Sequence, residues 1–266
     1  MKTSSTQRLT ESAIMLAFAT VLSFVKIFTM PFDGSVTAFS MLPILLIAYR
    51  YRTKWGLCVG AAYALIQMLF GLDNLKYATN FGAAVSILLF DYLLAFVVLG
   101  FGGIFRDRCK KNQPLELALG CMVSLTLCYL SHCVVGYFVW GMWAPEGISP
   151  LYYSVTYNAA YMLPELIITA LGCLILGSLL DFRTPFISKP SGKNVFSKSL
   201  SASLTVVLAF CFCAGGALYF CFQIINRLLS ADFAVNYPLT AGISLGCIAV
   251  GAALALVSRR LAKKAA

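Results

Sequence analysis

Apolar runs long enough to cross a membrane recur along the whole of this 266-residue chain, and no motif in it constrains the fold as strongly. An α-helix rises about 1.5 Å per residue, so about 20 apolar residues cover the roughly 30 Å of bilayer hydrocarbon. Eight runs qualify as spans: Leu9 to Thr29, Ser35 to Tyr49, Lys54 to Gly71, Phe81 to Phe105, Leu115 to Met142, Tyr152 to Leu180, Ser199 to Leu229 and Pro238 to Ser258. The second is the shortest. Hydrophobic residues make up 60% of the chain, charged ones 11%, and mean hydropathy is +0.85, which excludes an ordinary soluble domain. The fold class is therefore an all-α integral membrane protein. The run beginning at Leu9 is too long for the core of a signal peptide and no clean small-residue cleavage site follows it, so it reads as the first membrane helix.

A net charge of +10 suggests nucleic acid until its distribution is considered. With eight spans and a cytoplasmic N-terminus, all Lys and Arg except Lys26, Lys76 and Arg227 fall on the cytoplasmic side. That asymmetry is the positive-inside bias; it sets the orientation, places both termini in the cytoplasm and leaves no role for nucleic acid. The segment Asp181 to Lys198, rich in Pro, Ser, Gly and Lys, divides the chain into a six-helix core (1–180), a cytoplasmic linker (181–198) and an additional transmembrane hairpin with a basic tail (199–266). In that hairpin Gly242 and Gly246, and "AGGA" at Ala214 to Ala217, suit close helix packing. No internal repeat joins the halves, and "PSGKN" lacks the residues of a phosphate-binding loop, so no ATP hydrolysis is expected of this chain. Nearly all of the ten cysteines lie within spans as small apolar residues; Cys109 is the cytosolic exception, and Cys211 with Cys213 lacks the further ligands of a tetrahedral metal site. Neither a metal nor a cofactor is called for.

Ionisable groups at membrane depth cost about 2.5 to 3.5 kcal/mol each on insertion scales, so each needs a reason. Asp91 in "LLFDYLLAF" and His132, the single histidine, lie about ten residues from the outer ends of their spans, at one level roughly 15 Å deep. Glu165 follows Pro164 in "YMLPELI", either as the anchor of a kinked helix or as a ligand. His132, Gly136 and Trp140 recur every four residues, with the glycine leaving a gap between imidazole and indole that a flat molecule would fill. Tyr153, Tyr157 and Tyr161 form a further stripe, and Asn158 and Glu165 share a neighbouring face. Aromatic walls with a few convergent polar groups describe a small-molecule site, although Trp143, Tyr152 and Tyr153 also suit an interfacial aromatic belt, and Trp140 fits either reading.

Four separated segments, "FDGSVTAFSMLPILLIAYRY", "FDYLLAF", "SHCVVGYFVWGMWAPEG" and "YSVTYNAAYMLPELI", resemble in order and spacing the thiamine-specific substrate-binding (S) components of energy-coupling-factor (ECF) vitamin transporters. The resemblance covers about residues 9–180. It implies a six-helix subunit of a bacterial cell membrane that captures thiamine outside the cell. A membrane coupling subunit and two cytoplasmic ATPases would be its partners, with toppling in the bilayer releasing the vitamin. It further implies Asp91, Tyr92, His132, Trp140, Tyr153 and Asn158 as binding residues, with Phe32 and Gly34 in a lid formed by "MPFDGSVT". The family favours glutamate where Asp91 stands and tryptophan where Phe32 stands, and Phe81 offers another aromatic wall. Ala13 and Ala17, four apart in the first span, would meet the coupling subunit, a spacing equally suited to ordinary helix packing.

The residue chemistry agrees independently. An indole face attracts a cation such as a thiazolium by up to about 2 kcal/mol when desolvated. A carboxylate and an imidazole at one depth suit the edge of an aminopyrimidine. Other readings are an S component for another flat ligand, a transporter driven alone by an ion gradient, and an intramembrane enzyme using Asp91 and His132 as acid and base. The enzyme lacks an evident nucleophile among scattered Ser and Cys.

Overall fold

The structure is a computed structural model that describes residues 4–109, 112–189 and 237–265, with residues 205, 208, 209, 216, 219 and 223 besides. It divides into two compact units, Met1–Pro190 and Ser191–Ala266. In the first, α1 (Ser5–Ser23) leads into a two-stranded antiparallel hairpin, β1 (Lys26–Thr29) and β2 (Ser35–Thr37), joined through a 3-10 turn at Pro31–Asp33. Then follow α2 (Leu42–Phe70), a 3-10 segment (Leu72–Tyr77), α3 (Phe81–Gly103), α4 (Gln113–Phe138), a 3-10 turn (Trp140–Trp143) and α5 (Pro150–Leu179). In the second unit the described helix is α6 (Tyr237–Ala265). Among the described residues, α2, α3, α4, α5 and Tyr237–Val257 of α6 are long and apolar enough to cross a membrane, so the chain is membrane-embedded and helical, as expected.

Helix starts follow local chemistry. Ser4, Asn80, Asn112 and Ser149 each accept a backbone N–H from the first turn of the helix they precede, and Pro43, Pro114 and Pro150 occupy first-turn positions where the missing N–H costs nothing. The α5 helix stays continuous across Pro164. Two expected spans need correction. Residues Lys26–Thr29 are strand rather than the end of span one, and Ser35–Thr37 are strand rather than the start of span two. Spans two and three are the halves of α2, broken at Arg52, whose φ of 71° and ψ of 164° no helix accommodates. With that break, 5–179 contains six helical segments.

Helices in lipid gain little from expelling water, so close backbone packing must hold them together. A Cβ on Gly120 of α4 would lie 2.2 Å from the carbonyl oxygen of Gly102 in α3, so these helices meet backbone to backbone. The buried cluster around them includes Ile44, Leu45, Tyr49, Leu99, Leu117 and Leu125, with Cys121, Cys128 and Cys173 packed as small apolar groups. Every described cysteine is a free thiol.

At the α2 break a polar network replaces apolar packing. Arg50, 5% exposed, donates to Glu11 at 2.5 and 3.1 Å and to the carbonyls of Phe182, Thr184 and Pro185 at 2.7–3.0 Å. Fully buried Glu116 accepts from Tyr49 Oη and Arg183 Nη2, both at 2.7 Å, and from the N–H groups of Asp107 and Cys109. Arg106 Nη1 donates to the carbonyls of Tyr49 and Arg50, which the break leaves without helical partners. Each buried charge is thus paired and hydrogen-bonded, the condition under which burial is tolerated. None of this clustering was expected from sequence.

In the second unit, a Cβ on Gly216 of the "AGGA" segment would lie 2.7 Å from the Ser244 carbonyl oxygen, as close packing requires. Gly242 and Gly246 differ: a Cβ on either meets nothing within 4 Å among the described residues. Cys211 and Cys213, most of the seventh span and residues 190–198 of the linker lie outside the described residues.

Candidate ligand cavity

A cavity of about 270 Å³ opens among the hairpin and helices α2 to α5. Asp91, Tyr92, His132, Trp140, Tyr153, Asn158, Phe32, Gly34 and Glu165, singled out from sequence, all line it. Asp91 sits on a π-helical stretch, Ile87–Leu94, within α3. Such wider turns are frequent at functional sites, because the extra residue per turn re-aims side chains. His132 Nδ1 lies 2.8 Å from Asp91 Oδ1, and Trp140 Nε1 donates to Asp91 Oδ2 at 2.9 Å. The depth argument thus put the acid and the imidazole at one level, and the structure brings them into contact.

Tyr92 turns to the loop above, its hydroxyl donating to the Gly71 carbonyl at 3.1 Å and accepting from Asn74 Nδ2 at 2.8 Å. Asn158 is spent on packing: its amide nitrogen donates to the Ser154 carbonyl at 2.8 Å and its oxygen accepts from Tyr161 Oη at 2.7 Å. Tyr153 stacks at 5.7 Å on Tyr157, which meets Tyr161 edge-on at 5.9 Å. Phe32 and Trp140 of the cavity wall form a ring cluster with Tyr77 and Trp143, at centroid separations of 5.5 to 6.0 Å.

The hairpin is pinned over the cavity from α5. Glu165, 1% exposed, accepts the Thr37 N–H at 2.7 Å on one oxygen and the Thr37 hydroxyl at 2.9 Å on the other. It therefore anchors the hairpin, not a kink in its own helix. The Tyr157 hydroxyl accepts from Gly34 N at 3.2 Å and donates to the Pro31 carbonyl. Phe32 and Asp33 both hold left-handed backbone, φ 63° and 67°, unusual for residues with side chains, and Asp33 is paired with Lys26 at 2.6 Å.

Two expectations change. Trp140 does not continue a helical stripe, because α4 ends at Phe138 and the indole is carried on a separate 3-10 turn. Gly136 lines the cavity with His132 and Trp140, and it also lets α4 and α5 close together, since a Cβ there would lie 2.2 Å from Ser154 Oγ. Phe81 is 85% exposed and is no wall of the cavity. Tyr77 and Trp143 were missed as ring partners of the cavity residues Phe32 and Trp140. Tyr77 ends a 3-10 segment that carries no periodic signal, and Trp143 has the sequence context of any interfacial tryptophan. Ala13 and Ala17 lie away from the cavity, on an exposed face of α1 with Leu9, Ile14, Phe18 and Val21.

Net charge at the cavity differs in sign from that of the whole chain. Asp33, Asp91 and Glu165 line it against Lys26 and the His132 imidazole, and Glu165 forms no ion pair with any described residue. An acidic, aromatic cavity in a chain of net charge +10 suits a flat cation.

Comparison with known proteins points the same way. The family described as "Thiamine transporter protein (Thia_YuaJ)" matches residues 9–183. The chain is 36% identical over 192 residues to thiamine transporter ThiT of Bacillus subtilis (strain 168), covering 68% of this chain and 94% of that protein. It is 25% identical over 201 residues to ThiT of Lacticaseibacillus paracasei, covering 71% and 94%. A solved structure of ThiT from Listeria monocytogenes superposes with a TM-score of 0.54 at 25% identity, covering 64% of this chain and 92% of that one. The chain belongs to the thiamine transporter protein family, whose members are transporters rather than enzymes.

Proposed function

We propose that this chain captures thiamine from the extracellular side in the cavity beneath the hairpin, as the S component of an ECF transporter whose partner ATPases drive import. The observation that carries the reading is the Asp91 carboxylate held between His132 at 2.8 Å and the Trp140 indole at 2.9 Å in an acidic, aromatic cavity. Family membership and the names of the relatives support thiamine as the ligand. The concentration of Lys and Arg on one side of the spans supports cytoplasmic termini and an outward-facing hairpin.

In this reading the aminopyrimidine donates to Asp91, whose two oxygens have about four acceptor positions and use two on His132 and Trp140. The thiazolium lies against the rings of Phe32 and Trp140, attracted by their faces and by the uncompensated carboxylate of Glu165. Tyr92, Tyr153 and Asn158 shape the walls, and Phe32 and Gly34 belong to the closing lid. Ala13 and Ala17 meet the coupling subunit on the exposed face of α1.

Purified protein should bind thiamine with quenching of tryptophan fluorescence. Trp140→Ala should lose at least about tenfold in affinity, the scale of one cation–π contact plus one indole hydrogen bond. A Trp140→Ala protein that folds and binds thiamine as the parent does would remove this site from consideration. Mass identification of the small molecule that co-purifies separates thiamine from other flat cations.

A further inference from the structure

Buried polar groups in folded proteins are almost always hydrogen-bonded, so one that lines a cavity without a partner asks for a ligand. Side-chain atoms such as Ser124 Oγ, Thr169 Oγ1 and Gln67 Nε2 are shut off from solvent and find no partner among the described residues, and of these only Gln67 belongs to the cavity wall. The contrast with the other cavity amide is direct. Asn158 has both ends engaged, by Tyr161 on the oxygen and Ser154 on the nitrogen, and has little left to offer a ligand.

Gln67 comes from α2, one helical turn before Gly71, whose carbonyl takes the Tyr92 hydroxyl. Asp91, His132 and Asn158 come from α3, α4 and α5. For a two-ring ligand anchored by one ring at Asp91 and His132, α2 and the hairpin supply a further wall of the same cavity, with Gln67, Gly71 and Ser35 on it. In thiamine the polar group remaining at the other end is the hydroxyl of the side chain on the thiazolium. A hydroxyl both donates and accepts, so its oxygen can take the N–H that Gln67 Nε2 leaves without a partner.

We propose that Gln67 is the residue that recognises the ligand's terminal hydroxyl, an inference that rests on the thiamine reading above. A site built to hydrogen-bond a hydroxyl discriminates against an analogue that lacks it, because the protein's own polar group is then left unpaired.

The test measures the affinity of the purified full-length chain for thiamine and for the analogue with ethyl in place of hydroxyethyl, in the parent and in Gln67→Leu. The parent should prefer thiamine, and Gln67→Leu should weaken thiamine about 5- to 10-fold, the range of one neutral hydrogen bond, while leaving the analogue within about twofold. If Gln67→Leu does not fold, Gln67→Met keeps the length of the side chain without its polar end and reads the same contrast. Equal losses for both ligands would mean that Gln67 only supports packing, and unchanged thiamine affinity would mean that it touches nothing; either result overturns the assignment. A parent protein that binds no thiamine overturns the thiamine reading itself, an outcome distinct from a parent that binds both compounds alike.

Discussion

At Gly34 the close approach, not the backbone conformation, demands glycine. Its φ of −54° and ψ of 127° suit any residue, but a Cβ would lie 2.6 Å from the Tyr157 hydroxyl that accepts its N–H. Gly34→Ala should therefore push Tyr157 away and free the tip of the hairpin without unfolding the protein. We expect thiamine to dissociate about tenfold faster, the equivalent of one to two lost hydrogen bonds, with circular dichroism unchanged. An unaltered off-rate measured by stopped flow would mean that the Gly34 contact has no part in closure. Asp91 illustrates a different economy of space. The resemblance favours glutamate here, yet from a π-helical turn the shorter aspartate reaches both His132 and Trp140. The sequence could assign the acid and the imidazole to one depth; their contact, and that of Asp91 with Trp140, is seen only in the folded chain.

The hairpin is where reading from sequence and the folded chain diverge most. "KIFT" continues the apolar run of the first helix with no glycine or proline before Pro31, so hydropathy alone extends the span to Thr29. What ends the helix and makes these residues a strand is their partner β2, which is itself held by Glu165 from α5, 128 residues further on. No local rule carries that contact. Thr37→Val should remove the hydroxyl bonds to Glu165 and to Ser40 and leave one buried carboxylate oxygen short of a donor, a loss of about 1 to 3 kcal/mol. Amide hydrogen exchange should then speed up across residues 30–37 and stay unchanged in α4. Equal protection of the hairpin in the two proteins would show that Glu165 is not its anchor. Gly136 on α4 carries the same lesson. Spacing suggested a slot at Gly136, which does line the cavity, but only packing shows that the same glycine also admits Ser154 and Asn158 of α5.

Across the molecule, the cavity and the exposed face of α1 are separate surfaces and should fail separately. The double substitution Ala13→Trp, Ala17→Trp adds bulk to a face that, among the described residues, packs on nothing in this chain. Thiamine binding by the purified protein should be unchanged, whereas uptake by cells, which needs the coupling subunit in our reading, should fall to background. Loss of binding would mean that α1 shapes the cavity, and full uptake would mean that the coupling surface lies elsewhere. The Arg50 and Glu116 networks tie α1, α2, α4 and the segment after α5 together by hydrogen bonds.

Hydropathy and charge asymmetry by themselves determined that the chain is helical and membrane-bound, roughly where its helices run, and which few polar groups are too costly to be incidental. Those are properties of short stretches, decided by transfer from water to hydrocarbon residue by residue. Tertiary structure alone decided that the hairpin is a strand pair held by a remote carboxylate, that Trp140 leaves its helix to meet Asp91, and that Tyr77 and Trp143 pack on the rings of Phe32 and Trp140. Each depends on partners far apart in the chain, brought within hydrogen-bond or ring-contact range only when the helices pack.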